Sequence, residues 1–95
     1  MSHMKNKINI TRKKLDKLDN RLLDLIKKRT FLVNNILKNK KYKNQIIDKK
    51  RIKIILKTIK SNSLKKKIDP KITNRIWKSM IGAFIDYEYR NFKKK

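Results

Sequence analysis

Residues 15–36 read LDKLDNRLLDLIKKRTFLVNNI. Leu15, Leu18, Leu22, Leu25, Leu32 and Ile36 recur at three- and four-residue steps, the spacing of one packed helix stripe. Leu23, Ile26, Val33 and Leu37 widen that stripe. Gly and Pro, the residues that break helices, occur once each in the whole chain, and neither falls here. The period predicts a first helix over about residues 10–40. That is long for a globular helix. A 95-residue chain cannot bury both ends of such a helix, so a partner chain is expected along its length.

Downstream, residues 41–47 break the period and read as a loop. Asp48 can cap a helix that begins at residue 49. Ile52, Ile55, Leu56 and Ile59 then fall at i, i+3, i+4 and i+7, predicting a short amphipathic helix over about residues 49–60. Ser61-Asn62-Ser63 reads as a break. Asp69-Pro70 is a strong start signal, an acidic N-cap followed by proline at the first helical position. Ile72, Ile76, Trp77, Met80, Ile81, Phe84 and Ile85 line one stripe of the third helix, expected to reach the low nineties and fray at Lys93-Lys94-Lys95. The fold class is all-α, with a long, a short and a medium helix in one domain over residues 5–95. Met1-Ser2-His3-Met4 reads as an expression-tag remnant. No apolar run approaches the length of a membrane span, and the first residues lack a signal-peptide core. These features point to a cytoplasmic location and no membrane partner.

Lys and Arg number 30 against 7 Asp and Glu, a formal charge of +23. Lys, Ile and Asn make up 49 of the 95 residues, and their codons are A/T-rich. A biased genome therefore accounts for the composition, with a demand from nucleic acid or an anionic membrane as the alternative. The lysines spread along the chain without clustering, so no specific nucleic-acid partner is expected. The aromatics agree: Tyr42, Tyr87, Tyr89 and Phe92 are not spaced as a stacking platform, and Phe31, Trp77 and Phe84 read as core or seam. Cysteine is absent and the single histidine, His3, lies in the tag-like segment. No disulfide, metal or cofactor site is expected.

Charges stand where apolar residues belong. Arg29 and Lys40 interrupt the first helix's stripe, about 1100° apart and so within about 20° of one face. Glu88 falls on the Trp77-Met80-Phe84 stripe, and Asp48 and Arg51 open the second helix. A buried unpaired charge costs several kcal/mol, so each needs a partner. An internal ion-pair network is one solution. However, Arg29, Lys40 and Arg51 outnumber Glu88, and a net cationic interior suits a bound dianion. Arg12 lies about 100° off the Arg29 face. It is either a solvated surface arginine or a residue that enters a partner chain's pocket.

These residues resemble the all-α (AroQ-class) chorismate mutases over about residues 8–92. The first helix carries Arg12, Leu15-Asp16-Lys17-Leu18-Asp19, Arg21-Leu22-Leu23-Asp24-Leu25-Ile26, Arg29 and Lys40. The D-x-x-R motif of the second appears as Asp48-Lys49-Lys50-Arg51, and the closing helix supplies Glu88. The resemblance implies an intertwined helical homodimer with two sites, each taking one arginine from the other chain. It implies rearrangement of chorismate to prephenate on the route to phenylalanine and tyrosine, without nucleophile, metal or cofactor. Arg29 and the second chain's Arg12 would hold the two carboxylates of the substrate, with Arg51 helping. Lys40 and a protonated Glu88 would donate to the ether oxygen.

The chain departs from the family pattern at two further positions and in the loop between Lys40 and Arg51, which is about one residue short. Ile52 stands where a glutamate usually holds the substrate hydroxyl, and Phe84 where a small hydroxyl residue is common. Asp48 is left as the candidate for the hydroxyl. A sister activity on the same fold, isochorismate-pyruvate lyase, tolerates apolar residues at such positions and is the alternative function. A non-enzymatic basic helical protein that binds nucleic acid is the second alternative.

Overall fold

A computed structural model of the chain describes residues 2–93. Lys94, Lys95 and Met1, which belong to the expected frayed end and tag, lie outside them. The described residues form three α-helices and no strand: α1 (Ser2–Lys38), α2 (Lys49–Lys65) and α3 (Pro70–Asn91), with a single 3₁₀ turn at Lys43–Gln45. The all-α class expected from the periodicity is what the chain adopts. It divides into two compact units, one ending at Leu32 and one beginning at Val33.

α1 is 37 residues long. Nothing in it breaks the backbone hydrogen-bond ladder, and two hydroxyls that could compete with it turn inward. Thr11 Oγ1 donates to the Lys7 carbonyl and Thr30 Oγ1 to the Ile26 carbonyl, four residues back in each case. The helix starts well before residue 10, because the leading residues lack any stop signal. It ends two residues earlier than the period suggests. Asn39 and Lys40 donate their N–H groups to the carbonyls of Ile36 and Leu37, tightening the last turn and closing the helix. Lys40 thus lies just past the helix end instead of extending its stripe. Leu15, Leu18, Leu22, Leu25, Leu32 and Ile36 are each more than half exposed, and Phe31 is exposed too.

In the second unit α2 and α3 pack along each other. Asp48 caps α2 by accepting from the Arg51 N–H at 3.0 Å, and Asp69 caps α3 by accepting from Lys71 at 2.9 Å, with Pro70 next in the chain. α2 continues through Ser61-Asn62-Ser63, where the sequence suggested a break. Ser63 is buried and its Oγ satisfies itself twice, on the Ile59 carbonyl at 2.6 Å and on Thr73 Oγ1 at 2.7 Å. A polar residue that reads as a turn former is here a packed contact between helices.

α2 then ends in a Schellman turn. Ile68 N–H reaches the Ser63 carbonyl and Lys67 N–H the Leu64 carbonyl, with Lys67 in the left-handed region at φ 59°. Among the described residues the buried apolar set is small: Leu37, Ile46 and Ile81. Around it Ile52, Ile55, Leu56, Ile59, Trp77, Met80, Phe84 and Ile85 are half-buried, while Ile72 and Ile76 stay exposed.

Candidate active site

The loop between α1 and α2 positions Lys40. Gln45 Oε1 accepts from the N–H groups of Lys41 and Tyr42 at 2.7 and 2.9 Å, which folds the segment into its 3₁₀ turn. Ile46 is only 3% exposed and pins the loop to the core. Lys40 is held from the other side by its N–H on Leu37. Its Nζ then meets Glu88 Oε1 at 2.9 Å, with side-chain exposures of 17% and 9%. Glu88 lies near the end of α3 and is the only glutamate in the chain.

This is a charge-assisted bond between largely buried partners. Removing either one strands a charge away from water, a penalty of about 3 kcal/mol. The sequence required an anionic partner for Lys40 and a cationic one for Glu88, and each meets that need of the other. The internal pairing read as one solution from sequence is therefore present for these two groups. Lys40 still borders open space: with Gln45, Ile47, Asp48, Lys49 and Lys50 it lines an open pocket. With Lys40 already paired to Glu88, Lys49 and Lys50 against Asp48 leave its mouth net positive and attractive to anions.

Asp48 is exposed, and one of its oxygens is committed to the α2 cap. Arg51 is exposed and joins Asp48 through its backbone N–H. Ile52 and Phe84 are half-buried. The Phe84 ring stands edge-on to Tyr87, centroids 6.4 Å apart at 77°. In the first unit Arg12 is exposed and Arg29 half-buried. The second unit thus brings Lys40 and Glu88 together, and Lys40 and Asp48 into one pocket.

Two features escaped the sequence. Gln45 gave no signal, since an isolated glutamine in a loop has no pattern. The hydrogen bond from Tyr87 Oη to Asn34 Oδ1 at 3.0 Å joins residues that only the tertiary fold brings together. Among the described residues no three His, Asp or Glu side chains cluster as a metal site, and no helix is long and apolar enough to cross a membrane.

No curated protein and no solved structure matches the chain. One family profile does, that of chorismate mutase type II, over residues 11–89. The matched span takes in Arg12, Arg29, Lys40, Asp48, Arg51 and Glu88 together and all of α2. With most of the chain covered and three helices in the expected order, the chain belongs to the chorismate mutase type II family.

Proposed function

We propose that the chain is an isomerase that rearranges chorismate to prephenate, a step toward phenylalanine and tyrosine. The observation that carries this reading is the Lys40–Glu88 pair, 2.9 Å apart, whose lysine lines an open cationic pocket, in a chain of this family. The reaction is intramolecular: one C–O bond breaks while one C–C bond forms, and no atom enters or leaves. The protein has to hold the reactive conformer and stabilise developing charge.

Arg29 and Arg12 of a second chain clamp the two carboxylates, which planar guanidinium forks bind in bidentate fashion. Arg51 assists at the mouth. Negative charge grows on the ether oxygen as the C–O bond opens. Lys40 turns one of its N–H bonds onto that oxygen, and Glu88, which accepts from Lys40 in the resting chain, donates a second hydrogen bond once it takes up a proton. Both contacts strengthen in the transition state, so they raise turnover more than affinity. Asp48 has one carboxylate oxygen outside the cap for the substrate hydroxyl, with Ile52 and Phe84 forming apolar wall.

The site is completed in a homodimer. Six apolar side chains of one stripe of α1, each more than half exposed, support this reading, because an uncovered seam of that kind favours association.

The test is the loss of chorismate absorbance with purified protein. Prephenate as product supports the proposal. Pyruvate release from isochorismate, with chorismate untouched, reassigns the chain to the sister lyase. No turnover of either, with salt-sensitive nucleic-acid binding, points to a non-enzymatic role.

A further inference from the structure

α3 is tied to the segment around the end of α1 by two adjacent residues. Glu88 takes Lys40, and Tyr87 donates its hydroxyl to Asn34 Oδ1 at 3.0 Å. The two anchors flank Leu37, one of the buried apolar residues. Tyr87 and Asn34 are both half-buried, so their bond is partly shielded from competition by water. Among the described residues, extensive backbone proximity between helices is confined to α2 and α3. The alignment of α3 with the last turn of α1 therefore depends on side chains. A single ion pair fixes a distance but leaves rotation about it free. A second tie from the neighbouring residue, about 100° around α3, removes that freedom. The Tyr87 ring is itself steadied by its edge contact with Phe84.

We infer that Tyr87 and Asn34 are positioning residues, which hold the Glu88 carboxyl in the orientation from which it acts beside Lys40. This rests on the function proposed above for Lys40 and Glu88. Neither Tyr87 nor Asn34 is assigned a contact with substrate.

The experiment compares Tyr87→Phe, which deletes the hydroxyl and keeps the ring, in wild-type and Glu88→Ala backgrounds. In the wild-type background kcat should fall about tenfold with KM within about twofold, since loosened geometry at a catalytic group costs turnover. In the Glu88→Ala background the same change should cost nothing further, because the group being positioned is gone. Asn34→Leu should match Tyr87→Phe, and Asn34→Asp, which keeps an acceptor, should recover most of that loss.

A second readout needs no turnover. Glu88 is the sole glutamate, so carboxyl ¹³C-labelled glutamate gives one side-chain signal. That signal should move or broaden in Tyr87→Phe while circular dichroism stays unchanged. An unaltered kcat, an equal loss in both backgrounds, or an unmoved Glu88 signal would overturn the inference. If the wild-type chain fails to convert chorismate, the functional proposal fails separately, and the Glu88 signal alone decides whether the tie orients the carboxyl.

Discussion

Lys40 and Glu88 are 48 positions apart in the chain, and the stripe each was read from said only that a counter-charge must exist. Their meeting leads to a prediction about roles. A carboxylate accepts and only its protonated form donates, whereas an amide donates as it stands, so Glu88→Gln should keep most of the kcat that Glu88→Ala loses. If the two variants lose kcat equally in steady-state assays, Glu88 is not the donor. Glu88→Ala and Lys40→Ala should each lower kcat by about 10²–10³, the usual loss of one transition-state donor. Arg29→Lys keeps the charge and loses the fork, and should raise KM in steady-state assays by about tenfold or more. That Lys40 and Glu88 each need a counter-charge was legible because charge in an apolar stripe is a local anomaly. The Tyr87–Asn34 tie was not, since a half-buried tyrosine and an asparagine on a helix break no pattern.

At the scale of the elements, short-range chemistry was legible and long-range packing was not. Asp48 and Asp69 cap α2 and α3 as read, because capping is decided within three residues. The break expected at Ser61-Asn62-Ser63 did not form, since Ser63 is recruited by Thr73 on another helix, ten residues on. That contact predicts different costs for different variants. Ser63→Ala leaves the buried Thr73 hydroxyl only its long 3.4 Å bond to the Pro70 carbonyl and should lower unfolding stability by about 1 kcal/mol in urea titration. Replacing both, Ser63→Ala with Thr73→Val, should cost less than the sum of the two single changes. Ile46→Ala should cost about 2–4 kcal/mol and slow turnover as well, because Ile46 anchors the loop that presents Lys40.

For the whole molecule, the exposed leucine stripe of α1 and the off-face Arg12 make one joint prediction. Arg12→Ala and Arg29→Ala chains should each be nearly inactive alone. Mixed in equal amounts after unfolding and refolding, they should regain about a quarter of wild-type activity, since half of a random population of two-fold dimers is mixed and carries one intact site of two. No recovery would place both arginines in sites built by a single chain, or Arg12 outside the site. Each chain also carries +23, and the two effects of screening oppose each other. Raising salt should tighten dimer formation in sedimentation experiments while raising KM for a doubly negative substrate.

Lys67 holds a left-handed backbone at φ 59° to close the turn after α2, a geometry that a residue with a Cβ adopts at some cost and glycine adopts freely. Lys67→Gly should therefore raise the melting temperature, by about 0.5–1 kcal/mol of stability. It would serve as a sturdier parent in which damaged variants stay folded long enough for their kinetics to be measured.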